Sequence, residues 1–206
     1  ALGTSPLLLE KFVAFAREVS ILAVRSRTGE TALYPLTQNT HEKGILRTSI
    51  APAPDASPEL QARAEGYAKR ALERLNYVGV LAIEFFVVED ASHPEGVRLL
   101  ANEMAPRVHN SGHWTIEGAQ TSQFENHLRA ITGLPLGPAT MRTGLKRAAM
   151  LNLIGRSPPM VEFLRVPYAH VHMYGKEERP GRKIGHVTLA VANEDELARS
   201  AAVVGG

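Results

Sequence analysis

Glu84 and Glu103 are the two side chains that the sequence best equips to do chemistry together. Both fall in GVLAIEFFVVEDASHPEGVRLLANEMA, two strand-like runs joined by the turn-rich DASHPEG. The first run, Val78–Glu89, is apolar and β-branched, the composition of a buried strand, and Val97–Met104 reads as its antiparallel partner. A hairpin symmetric about His93–Pro94 sets Glu84 directly opposite Glu103, with Cβ atoms roughly 4.5–5.5 Å apart. Two ionised carboxylates that close repel each other, so the pair suits a shared cation such as Mg²⁺. The competing reading is two unrelated strand glutamates facing water. The apolar frame of LAI and FFV around Glu84 weighs against it.

The loop that leaves the second strand, APRVHNSGHWT, carries Arg107, His109 and His113. Loops anchored on a rigid sheet are frequent sites of function. Arg107 has the fork geometry to hold a planar carboxylate or phosphate, and His109 can exchange a proton near neutral pH. The plain alternative is that Asn110, Ser111 and Gly112 simply form a turn, though the density of hydrogen-bonding groups in RVHNSGHWT favours function for Arg107 and His109, and Trp114 could serve only to anchor the loop by packing. Upstream, an extended backbone at Glu10–Val13 could read a flat purine through its own N–H and C=O groups, with Glu18 near enough to take ribose hydroxyls. A solvent-facing Glu18 is the plain alternative. His41, in TQNTHEKG, reads as a phosphate contact or as an ordinary loop histidine. Downstream, KEERPGRKIGH gathers Lys176, Arg179, Arg182 and Lys183 around Pro180 and Gly181. Four cations so close suggest an anion among them, a phosphate first, against the alternative of a solvated loop partly neutralised by Glu177 and Glu178.

These groups need a scaffold. Short strands are expected at Leu7–Phe15, Glu18–Ser26, Thr31–Thr37 and Leu46–Ile50, separated by turn signals such as RTGE and HEKG. APAPDASP follows as a linker, and Ser57 as N-cap with Pro58 in the first turn opens a helix over Pro58–Leu75. Its expected apolar face is Leu60, Ala64, Tyr67, Ala68, Ala71 and Leu75. A second helix is expected from about Gly118 to Thr132, with Phe124, Leu128 and Ile131 on its inner face. GLPLGPATMRTG reads as a linker, followed by strands Ala148–Ile154, Tyr168–Tyr174 and Ile184–Val191 and a helix from about Glu194. The pattern is α+β: a first domain over residues 1–137, then a small β-rich domain over 138–206.

The 206 residues are 44% hydrophobic and 21% charged, with a net charge of +2 and no basic cluster of the kind that binds nucleic acid. With no cysteine, disulfides and thiolate zinc sites are excluded. No apolar run approaches the ~18 residues of a membrane span and no signal peptide is evident, so a cytoplasmic protein is expected.

Four stretches carry a family likeness: LTQNTHEKGILRTS, YVGVLAIEFFV, NEMAPRVHNSGHWTIEGAQTSQFENHLRAITGLPL and HVHMYGKEERPGRKIGHVTL. From Leu7 to Leu189 the chain resembles the ATP-grasp enzymes of purine biosynthesis that make N5-carboxyaminoimidazole ribonucleotide. The resemblance implies an ATP-grasp large subdomain with a mostly antiparallel sheet, and then a small β-rich domain. The family's N-terminal domain and lid subdomain are not within these residues, so the chain alone is expected to be incomplete for activity. The implied chemistry is activation of bicarbonate by ATP and Mg²⁺ (Mn²⁺ as a substitute) to carboxyphosphate, then carboxylation of 5-aminoimidazole ribonucleotide. The same likeness implies that Glu10, Lys11, Phe12 and Val13 are the adenine hinge, that Glu18 holds ribose, and that His41 lies at the nucleotide. It makes Glu84 and Glu103 the metal ligands with Asn102 beside them, and Arg107 and His109 the catalytic pair. Lys176 and Arg182, among the four loop cations, are implied to hold the substrate phosphate, and the full-length protein is implied to be a homodimer. Ala105 stands where many ATP-grasp ligases carry a metal-binding Asn, in keeping with this family but with one contact fewer. A non-catalytic nucleotide-binding or dimerisation module and another ATP-grasp carboxylase are the alternatives. HNSGHW and RPGRK argue against the latter, and joint retention of Glu84, Glu103, Arg107 and His109 argues against the former.

Overall fold

In a computed structural model, which describes residues 7, 9–94 and 96–204, one sheet organises the chain. Its strands are β1 (Arg17–Arg25), β2 (Thr31–Leu33), β3 (Thr37–Glu42), β4 (Ile45–Ala51), β5 (Gly79–Glu89), β6 (Val97–Ala105), β7 (Arg147–Ile154), β8 (Ala169–Met173) and β9 (Lys183–Val191). The order is β6-β5-β1-β3-β4-β7-β9-β8, with β2 paired to β1, and every pairing is antiparallel. The helices are α1 (Pro58–Arg74), α2 (Thr115–Gly118), α3 (Gln123–Thr132), α4 (Met160–Leu164) and α5 (Glu194–Val204). Among the described residues no helix is long and apolar enough to cross a membrane.

Alternation along β1 and β5 gives the sheet two different faces. Val19, Ile21, Ala23, Leu81, Ile83, Phe85 and Val87 point to one face and pack under α1 through Leu60, Ala64, Ala68 and Leu72. Helix α1 begins as its sequence dictates: Ser57 accepts a hydrogen bond from the Leu60 N–H (3.1 Å) and Pro58 occupies the first turn. Its buried stripe takes Leu72 in place of Tyr67 and Leu75, which are 37% and 57% exposed. The opposite face buries Leu22, Val24, Val80 and Ala82 against Trp114, Ala119 and Ala130. A third cluster, on β9, holds Ile184, Val187 and Leu189 with Phe163 of α4.

Several expectations need correcting. The strand expected over Thr31–Thr37 is two, β2 and β3, so His41 sits on a strand and not in a loop, and the helix expected from about Gly118 begins only at Gln123, after the separate short α2. The strand expected over Leu7–Phe15 is absent from its described residues: Leu7 and residues 9–15 have no strand assignment, and Leu8 lies outside the described residues. A β-prone sequence forms a strand only where a neighbour supplies ladder hydrogen bonds, and here Leu9 and Phe12 are 97% and 89% exposed. Helix α3 turns the other way from its apolar pattern: Phe124, Leu128 and Ile131 are exposed, while Gln123, Asn126 and Ala130 are buried. Hydrogen bonding decides the orientation. Asn126 Nδ2 donates to the Tyr34 hydroxyl (2.9 Å) and the Gly137 carbonyl (3.1 Å), and Gln123 Nε2 donates to the His109 carbonyl (2.7 Å). Buried amides satisfied in this way cost little.

Candidate active site

Glu84 and Glu103 are direct cross-strand partners in β5 and β6. From Glu89–Val97 to Phe85–Ala101 the hairpin is centred on His93, which by itself would set Glu84 against Asn102. The ladder shifts by one residue between Glu84 and Phe85, so Asn102 bulges and Glu103 takes its place opposite Glu84. Glu84 and Glu103 therefore lie on the face opposite α1. Ser20 of β1 is the partner of Glu84 on its other side, so Ser20 shares that face.

A set of polar groups surrounds the pair. His109 Nε2 lies 3.8 Å from Glu84 Oε1, too far for a hydrogen bond, with the two side chains only 11% and 14% exposed. Glu18 Oε2 and His41 Nδ1 are 2.8 Å apart, across β1 and β3. Lys183 Nζ donates to Asn110 Oδ1 (2.8 Å), and Asn110 in turn forms a reciprocal amide pair with Asn152. Burial raises the Glu84 carboxyl above its ordinary range; His41 and Lys183 oppose the rise, and Glu103 and Glu18 add to it. Burial also lowers Lys183, against the pull of Glu84. His109 is lowered to about 4 by burial first, then by Arg107, Lys183 and His41, so its imidazole is neutral at pH 7.

The loop is held from below. His109 Nδ1 lies 2.9 Å from Ser111 Oγ, Ser20 Oγ donates to Ser111 Oγ (2.9 Å), Asn39 Nδ2 donates to Ser20 Oγ (3.0 Å), and Ser49 Oγ donates to Asn39 Oδ1 (2.8 Å). Ser20, Asn39, Ser49 and Ser111 are all buried. A Cβ at Gly112 would clash with Leu22 Cδ2 and come within 2.8 Å of Gln123 Oε1, so a larger residue there would have to displace these buried side chains. Trp114 is fully buried and donates to Thr37 Oγ1 (3.0 Å), so it anchors the loop. His113 joins a separate group: its ring is 5.0 Å from His186, which stacks on His172 at 4.5 Å, and His172 pairs with Glu117 at 2.7 Å.

The structure thus gathers Glu18, His41, Glu84, Glu103, His109 and Lys183. Asn102 stands beside them as the bulge. Arg107 is exposed, its Nη1 donating to the Val108 carbonyl (3.0 Å). Glu10, Lys11 and Phe12 are exposed and Val13 is half-buried in the segment before β1. Of the four loop cations, Lys183 is the one hydrogen-bonded into this neighbourhood. Lys176 lies over the Tyr174 ring at 5.3 Å, Arg179 is exposed, and Arg182 is half-buried with its carbonyl accepting from Gly155 N–H (2.8 Å). Sequence reasoning missed the serine and asparagine chain and the Asn110–Asn152 pair. Polar residues at inward-facing strand positions, such as Ser20 within EVSILAVR, were the available signal.

Among the described residues no group of three or more His, Asp or Glu side chains forms a ready-made metal cage. Two hard carboxylates on one face, one of them already strained by burial and by a like charge, do fit a Mg²⁺ ion that takes its other ligands from phosphates and water.

Comparison with known proteins gives the following. The ATP-grasp domain family matches residues 1–124, and the phosphoribosylaminoimidazole carboxylase C-terminal domain matches residues 148–200. The N5-carboxyaminoimidazole ribonucleotide synthase of Pseudomonas aeruginosa is 55% identical over 196 residues, covering 95% of this chain and 51% of the relative. The crystal structure of the N5-carboxyaminoimidazole ribonucleotide synthetase of Thermus thermophilus superposes with a TM-score of 0.87 at 60% identity, covering 94% of this chain and 51% of that one. An Aspergillus clavatus N5-carboxyaminoimidazole synthase, solved with ADP and 5-aminoimidazole ribonucleotide, superposes with a TM-score of 0.81 at 31% identity, covering 95% and 53%. The chain spans about half the length of the relatives it matches.

Proposed function

This chain belongs to the ATP-grasp family, and from that premise we propose that it is the catalytic and C-terminal portion of an N5-carboxyaminoimidazole ribonucleotide synthase. The observation that carries the reading is the convergence of Glu84, Glu103, the Glu18–His41 pair, His109 and Lys183 on one face of the sheet. The likeness to relatives that bear this activity supports it.

In the proposed reaction an oxygen of bicarbonate bonds to the γ-phosphorus of ATP as the bond to the ADP oxygen breaks. The exocyclic amine of 5-aminoimidazole ribonucleotide then bonds to the carbonyl carbon of carboxyphosphate; the carbon–oxygen bond to phosphate breaks and the amine loses a proton. Glu84 and Glu103 would hold Mg²⁺, which supplies charge neutralisation between the phosphates and the incoming anion. Glu18 and His41 would orient the nucleoside, and Glu10–Val13 would offer backbone groups to adenine. His109 and Arg107 would stabilise the anionic oxygens of carboxyphosphate where charge develops. Lys183, with Lys176, Arg179 and Arg182 in the same loop, would neutralise the ribonucleotide phosphate.

The reading divides the chain at residue 137, supported by family matches that lie on either side. We take the full-length protein to be a cytoplasmic homodimer, as the sequence resemblance implies. The test of the reading is ADP release by the full-length protein that contains this chain. Release that requires bicarbonate and is stimulated by 5-aminoimidazole ribonucleotide is expected, and ADP release indifferent to both would overturn the proposal.

A further inference from the structure

We propose that Ser111 and Ser20 are positioning residues that fix His109 as the tautomer protonated on Nε2, so that it meets the cleft as a hydrogen-bond donor and not as a base. This rests on the reading of His109 as part of the synthase site.

The direction of the hydrogen bonds carries the inference. The Ser111 backbone N–H points at His109 Nδ1 at 3.4 Å, and an N–H can only donate. The Ser111 hydroxyl lies 2.9 Å from the same nitrogen. Ser20 Oγ receives an amide hydrogen from Asn39 Nδ2 (3.0 Å) and donates its own proton to Ser111 Oγ (2.9 Å). Ser111 Oγ, already accepting from Ser20, has its proton left for His109 Nδ1. Asn39 is held in this orientation by Ser49, whose hydroxyl donates to Asn39 Oδ1 (2.8 Å). Every member of the chain from Ser49 to Ser111 is buried, where an unmade hydrogen bond is costly and water does not compete. With Nδ1 committed as an acceptor, the ring proton sits on Nε2, the nitrogen that lies 3.8 Å from Glu84 Oε1. A donor there faces the carboxylate and any anionic oxygen placed between them. It has no lone pair with which to remove a proton from the substrate amine.

The test is nitrogen NMR of the histidine-labelled full-length protein at mildly alkaline pH, with His109→Asn to assign the signal. An unprotonated Nδ1 and a protonated Nε2 are expected in the unmodified protein; a proton on Nδ1 overturns the inference whatever the variants do. In Ser111→Ala the second tautomer should appear and kcat should fall on the order of tenfold, about the upper range for one hydrogen bond. Ser111→Thr, which keeps the hydroxyl, should restore the Nε2–H signal, and Ser20→Ala should show a smaller shift than Ser111→Ala. A Ser111→Ala protein with an unchanged tautomer would overturn the positioning role of the two serine hydroxyls and leave the backbone N–H of residue 111 as the group that sets the ring. Loss of the synthase reading shows separately, as absence of bicarbonate-dependent turnover with the Nε2–H signal intact.

Discussion

Glu84 and Glu103 face each other across the β5–β6 ladder because Asn102 bulges out of β6. Without that extra residue in the strand, the hairpin centred on His93 would oppose Glu84 with Asn102 and turn Glu103 to the α1 face. A one-residue slip moves a side chain to the other side of a sheet, so the bulge decides whether two carboxylates can act together.

The chain contains no cysteine, which makes the register directly testable. A Glu84→Cys/Glu103→Cys double variant should close a disulfide under mild oxidation, since directly opposed strand residues have Cα separations of about 4.5–5.5 Å, within the range a disulfide spans. Glu84→Cys/Met104→Cys, with Met104 paired to Ile83 on the other face, should keep its free thiols. Thiol titration before and after oxidation distinguishes them; the reverse result would refute the bulged register.

Glu84→Gln and Glu103→Gln should each lower ATP turnover of the full-length protein about a hundredfold or more, because charge stabilisation at a phosphoryl-transfer site is typically worth several kcal/mol. Stability should hold or rise for Glu84→Gln, since that carboxylate is buried and crowded by Glu103 and Glu18. Thermal melts recorded beside ADP-release rates check both halves; a variant that melts early and is inactive only for that reason would contradict the expectation.

The His113–His186 cluster should make the fold acid-sensitive. Burial, first, holds His186 at about 3 and His113 at about 4, each lowered further by neighbouring histidines, against ordinary values near 6.5. Below pH ~6.5 the unfolded chain binds protons that the folded chain refuses, so stability is fully present above that pH and declines as pH falls toward about 4. Each such group steepens the decline by up to about 1.4 kcal/mol per pH unit. Urea melts at pH 7.5, 6 and 5 should show a falling midpoint, and His186→Asn should flatten the slope. A slope unchanged by that replacement would place the acid sensitivity elsewhere.

Lys176→Ala and Arg182→Ala should raise the KM for 5-aminoimidazole ribonucleotide roughly ten- to a hundredfold, the range of a charged hydrogen bond of about 1.5–3 kcal/mol. The KM for ATP should stay nearly constant, because a remote phosphate contact is separable from the nucleotide site. Lys183→Met should have the larger effect of the three, since Lys183 also holds Asn110 and lies in the field of Glu84. Steady-state kinetics with each substrate varied in turn decide it, and an effect confined to ATP would move this loop to the nucleotide.

Local physics made much of the protein legible in its sequence. The Ser57 cap with Pro58, the β-branched run of β5 and the strands from Arg147 onward are set by residues near one another in the chain. The chemical types of the candidate site were equally plain, because carboxylates, histidines and lysines announce their chemistry wherever they sit. What the sequence could not decide was pairing. The segment before β1 has strand composition but makes no strand ladder among the described residues, and the apolar stripe of α3 faces out because buried amides at Gln123 and Asn126 find partners in Tyr34, Gly137 and His109. The bulge at Asn102, the choice of Lys183 among four cations, and the hydroxyl chain through Ser20 and Ser111 all depend on contacts between distant segments. Periodicity reports which residues could share a face; only the folded chain supplies the partner that makes one arrangement lower in free energy than the rest.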